Sequence, residues 1–99
     1  MAFQIIWADS ALADLEQIVR YIAAEDSDAA RRFGLTLISR VEETASFPRK
    51  GRVVPEENQE TLREIIFAPY RIVYELSDRE GVLHVLRVWH SARGAIPLR

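Results

Sequence analysis

Hydrophobic and polar positions follow two different rhythms along this chain, and the change falls near Pro48. Phe3, Ile5 and Trp7 alternate with their neighbours, which predicts a short strand over 3–7. Asp9 and Ser10 follow, with side-chain oxygens able to accept from the free N–H groups of a helix start. Leu12, Leu15, Ile18, Val19 and Ile22 then recur at helical spacing, predicting an amphipathic helix that ends near Ala24. Ser27 or Asp28 can cap a second helix with an apolar stripe of Ala30, Phe33, Leu37, Ile38, Val41 and Ala45. Pro48 cannot continue a helix and restricts Phe47, so this one stops by about Ser46. So short a link makes the two helices an antiparallel hairpin.

Beyond the hairpin the period shortens to two. Residues 48–61 read as a polar loop. Leu62–Phe67 and Tyr70–Leu76 read as strands joined at Ala68-Pro69, residues 77–81 as a turn, and Val82–His90 as the longest strand. That last strand is apolar on both faces, which places it centrally with cover on two sides. The order predicts a single α+β domain: an N-terminal strand, the helical hairpin, then three antiparallel strands. Two helices would pack on one face of a four-stranded sheet, the first strand beside the last, with the other face free for a partner or a site.

Composition narrows the function. The chain has 99 residues, 48% of them hydrophobic, enough for one core. Its net charge of −2 excludes a uniformly basic nucleic-acid coat. The charge is uneven: residues 1–47 hold four basic and eight acidic residues, a balance of −4, and residues 48–99 hold nine and seven, a balance of +2. From Arg87 onward, Arg87, Arg93 and Arg99 occur with no acid. The absence of cysteine excludes disulfides and thiolate chemistry. No G-x-x-x-x-G-K-[ST], H-E-x-x-H or G-x-S-x-G occurs, and His84 and His90 have no acidic ligand pattern beside them. No cofactor and no metal are expected. No apolar run is long enough to cross a bilayer, so no membrane association is expected.

Four stretches together resemble the RelE/ParE superfamily of bacterial toxins: IIWADSALADLEQIVRYIA at 5–23, the segment ending FPRKGRVVPE at 29–56, REIIFAPYRIVYEL at 63–76 and VLRVWHSAR at 85–93. The pairing of Y-R-I-V-Y with V-W-H-x-A-R is the more specific part. The resemblance implies a cytoplasmic toxin of a type II toxin–antitoxin system, held inactive by a cognate antitoxin, with a heterotetramer as one assembly it allows. It implies one of two targets. ParE-like members inhibit DNA gyrase; RelE-like members cleave mRNA on the ribosome.

Metal-free RNA cleavage needs a base, a cation for the crowded phosphorane and an acid for the leaving oxygen. The resemblance to the YoeB-like branch points to Glu56, Arg71 and His90 for these roles. Each has a plainer reading: an acidic loop that is merely solvated, an arginine paired with Glu64 or Glu75, a histidine bonded to a backbone carbonyl. Arg63, Arg87 and Arg93 are further cations for binding a target. In a regular strand Arg87 and His90 point to opposite faces, and only a bulge or the strand end would unite them. Tyr70, Tyr74 and Trp89 read as packing rather than base-stacking residues. The tail lacks the tyrosine typical of RelE-like nucleases. The charge and that lack favour the gyrase inhibitor, with the ribosome-dependent endonuclease and a non-toxic antitoxin-binding module as alternatives.

Overall fold

The computed structural model describes residues 2–98, so Arg99 lies outside the described residues. Strand β1 (Gln4–Trp7) leads into helices α1 (Asp9–Ala23) and α2 (Ser27–Ser46). Strands β2 (Arg52–Val53), β3 (Leu62–Phe67), β4 (Tyr70–Ser77) and β5 (Val82–His90) follow, and a single 3-10 turn spans Ser91–Arg93. The sheet runs β1-β5-β4-β3-β2. β1 lies beside β5, as the sequence predicts, and the pair is parallel; the remaining pairs are antiparallel.

The sheet therefore has five strands, not four. The extra one, β2, sits inside the polar loop and pairs Arg52 with Glu64 and Val53 with Arg63. Two residues are too few to show alternation, and charge rather than apolar burial holds them there.

Both helices cover one face. Leu37, Val41 and Ala45 of α2 and Ala11 of α1 meet Ile72, Tyr74, Leu76, Leu83, Val85 and Val88 from the sheet. The burial of α1 is rotated from its predicted stripe: Ala11 and Asp14 are inside, whereas Leu12 is 49% exposed. The start of the helix explains this. Ala8 N–H donates to the Val85 carbonyl (2.9 Å) and the Ser10 hydroxyl to that of Leu86 (2.8 Å), which clamps α1 onto β5 by its Ala11–Asp14 side. Ser10 is thus not a helix cap. The cap of α2 is Asp26, one residue before the expected Ser27, its carboxylate accepting from Ala29 N–H (3.0 Å).

The far face of the sheet is not left free. Val54, Leu62 and Val73 form a second apolar cluster there, joined by Leu86 and by Ile96 and Leu98 of the tail.

Gly51 marks a close approach of the chain to β3 and β4. The Tyr74 hydroxyl donates to the Pro48 carbonyl (2.6 Å) directly beneath it. A Cβ on Gly51 would stand 2.7 Å from the Glu64 carbonyl oxygen and closer still to that hydroxyl. Gly51→Ala is therefore expected to cost ~1–3 kcal/mol by overpacking. Thermal unfolding should register this as a drop of roughly 5–20 °C.

Candidate functional site

The charged residues of the sheet half are arranged as a ladder on the far face. Arg71 of β4 is its centre. Its two terminal nitrogens donate to the two Glu56 carboxylate oxygens (2.7 and 2.8 Å), and its Nε donates to Glu64 (2.7 Å). The other Glu64 oxygen accepts from Nε of Arg52. The Glu64 side chain has no exposure to water, the Arg71 side chain only 12%. Glu64 belongs to β3 at a position where Leu62 also points to this face, so the strand's own alternation drives the acid inward. Once inside, it requires cations on both oxygens.

The pairing has electrostatic consequences. The Arg71 hydrogen bonds hold the Glu56 carboxyl at about 2, below its ordinary 4.5, with help from its own backbone N–H. Arg71 is pushed further up, by Glu56 first and Glu64 next. An arginine so held has both edges of its guanidinium occupied.

The other candidates lie elsewhere. Tyr70 pairs with His90 and Arg71 with Trp89 across β4 and β5. Tyr70 packs on Phe33 of α2, so His90 belongs to the helix-covered face, opposite Arg71. His90 meets Tyr70 edge-on (5.3 Å), and its Nδ1 accepts from Ala92 N–H (3.0 Å), which caps the 3-10 turn. A bulge does occur in β5: Val73 faces Arg87 while Tyr74 faces Val85. It precedes Arg87, so it leaves Arg87 and His90 on opposite faces. Glu56 and Arg71 are thus brought together, and His90 is not brought to them.

Arg87 is bound instead to Asp14 of α1, with two contacts of 2.7 Å, and Val88 N–H donates to the same carboxylate (3.0 Å). Arg63 donates to the carbonyls of Gly51, Glu60 and Arg49 and to the Glu60 carboxylate. Arg49 spans Glu60 and Asp78, tying the loop to the β4–β5 turn. Arg93 pairs with no carboxylate among the described residues; its guanidinium lies 4.0 Å from the centre of the Trp89 ring. Tyr74 and Trp89 are buried, as packing residues would be.

Asp14 and Arg49 were not among the residues singled out from the sequence, and Glu64 entered only as one of two possible partners of Arg71. A signal existed for two of them. Asp14 stands three residues after Ala11 and four before Ile18, inside an apolar face, and Glu64 falls on an inward position of β3. Arg49 offered none, since its partners come from two distant turns.

The ladder predicts unequal effects of mutation. Arg71→Ala strands a buried carboxylate and should cost ~3 kcal/mol or more. Glu56→Gln removes a half-exposed partner and should cost less than ~1 kcal/mol at neutral pH. The sign of the pH effect follows from the lowered Glu56 value: its stabilisation is present above about 4.5 and is lost as pH falls toward about 2. Acid titrations followed by circular dichroism should show a shallower loss in that window for Glu56→Gln than for the unmodified chain.

Comparison with known proteins gives the family. The description "ParE toxin of type II toxin-antitoxin system, parDE" fits residues 5–94. Toxin RelE2 of Caulobacter vibrioides is 37% identical over 91 residues, covering 91% of this chain and 97% of the relative. Among solved structures, the chromosomal ParDE system of P. aeruginosa superposes with a TM-score of 0.70 at 16% identity, over 90% of this chain and 96% of that one. The RelBE2 toxin–antitoxin complex of Mycobacterium tuberculosis gives 0.59 at 20% identity, over 91% and 99%. The five-stranded mixed sheet with two helices on one face is the fold these structures share with it. The chain belongs to the ParE toxin family, within the RelE/ParE superfamily of type II toxin–antitoxin toxins.

Proposed function

We propose that this toxin arrests growth by binding a protein target, DNA gyrase, and that a cognate antitoxin neutralises it. One observation carries the choice of target: Arg71 is held between two carboxylates on one face of the sheet while His90 stands on the other. Metal-free RNA cleavage needs its base, cation and acid around one phosphate. Here the cation is already neutralised, and the histidine faces a different surface.

The antitoxin is the partner in the solved RelBE2 complex. For this chain it is the expected inhibitor, and an amphipathic helix on the hairpin or a strand at a sheet edge are the binding modes the surface offers. Among the described residues no helix is long and apolar enough to cross a membrane.

A second reading, ribosome-dependent mRNA cleavage by Glu56, Arg71 and His90, is favoured by the name of the Caulobacter vibrioides relative, Toxin RelE2. Two assays separate the readings. Purified protein should abolish supercoiling by gyrase, and mapping of message ends after induction should reveal no new 5′ ends in translated mRNA. New ends at codon-spaced positions, with gyrase fully active at large molar excess of toxin, would establish the nuclease instead.

A further inference from the structure

A cleft of about 310 Å³ opens on the helix-covered side, between α1 and the end of β5. Gln17, Ile18 and Tyr21 line it from α1, Tyr70 from β4, Val88 and His90 from β5, and Arg93 from the 3-10 turn. Asp14 also reaches it, but that carboxylate is already satisfied by Arg87 and by Val88 N–H. Each of the remaining polar groups can donate a hydrogen bond. Because His90 Nδ1 accepts from Ala92, the neutral ring carries its proton on Nε2. Arg93 has no carboxylate partner among the described residues, and its stacking on Trp89 fixes where the guanidinium stands. Tyr21 is 82% exposed, a large aromatic surface beside that cation.

We propose that this cleft receives a carboxylate presented by a protein segment, an acidic side chain or a chain end, with its aliphatic part lying against Tyr21 and Ile18. The proposal sharpens the protein-target reading by naming the group that the target must offer. Four features fit an acidic peptide: one uncommitted cation, hydroxyl and imidazole donors around it, aromatic walls, and the volume of one or two side chains. They fit RNA poorly. A nucleic-acid strand is tracked by a run of cations, and Arg93 is the single cation among the residues that line this cleft, with Asp14 the acid beside it.

The test uses acetylated tetraglutamate and, separately, tetrauridylate as probes, titrated into the full chain and followed by the NMR signals of the Tyr21, Tyr70 and His90 rings and the Trp89 indole N–H. Tetraglutamate should shift these signals together. Arg93→Glu should weaken its binding at least tenfold with an unchanged melting temperature, and Tyr21→Ala should weaken it too. Arg79→Glu makes the same charge change at the far end of the β4–β5 hairpin and should leave binding as it was. Absence of shifts, equal loss in Arg79→Glu and Arg93→Glu, or preference for tetrauridylate would overturn the proposal. Gyrase inhibition by the same variants is read separately. A chain that binds tetraglutamate in the cleft but never inhibits gyrase retains the site and loses the target. One that inhibits gyrase undiminished as Arg93→Glu retains the target and loses the site.

Discussion

A carboxylate removed from water is tolerated only where positive charge meets both of its oxygens. Glu64 is such a group, and much of the sheet half follows from it. Arg52 must come to one side, which places a two-residue strand at the sheet edge. Arg71 must come to the other, and its remaining nitrogens then draw in Glu56 and with it the loop that carries Val54 into its cluster with Leu62 and Val73. The glycine at 51 is part of the same arrangement, since the chain entering β2 passes against the Glu64 backbone and the Tyr74 hydroxyl.

Asp14 does for the helices what Glu64 does for the strands. It is nearly buried, takes two hydrogen bonds from Arg87 and one from the β5 backbone, and locks α1 to the strand where β1 has ended. Together the two acids redefine the charge pattern. The positive balance of residues 48–99 suggests an anion-binding field, yet Arg49, Arg52, Arg63, Arg71 and Arg87 all spend their donors on this chain's own oxygens. Arg93 is the exception on the strand end, and it sits at a cleft that combines a cation with aromatic walls. A surface of this kind suits recognition of a protein better than the handling of a polyanion.

The helices and the long strands were legible because their signals are periodic and local. Leu62–Phe67, Tyr70–Ser77 and Val82–His90 fall where alternation and turn residues put them. What was not legible depends on contacts between distant positions. β2 has no period of its own, and the rotation of α1 depends on backbone bonds to β5, seen only once the two are adjacent. The pairing of Arg71 with Glu64 was foreseen as one of two options, while its second partner Glu56 comes from a loop with no regular structure. His90 illustrates the limit at the site. The resemblance to the YoeB-like branch suggested joint chemistry with Arg71, and strand register, which a one-residue shift would reverse, decides against their sharing a face.

The central claim is that Arg71 and Glu64 serve the fold and not a reaction. The direct measurement is growth arrest by the double variant Glu64→Leu/Arg71→Met, checked for folding by its thermal transition. Replacing both members of a buried pair with apolar residues of similar size commonly preserves stability where removing one does not. The account predicts a folded double variant that arrests growth as the unmodified toxin does. A double variant that folds with an unchanged transition and no longer arrests growth would contradict it.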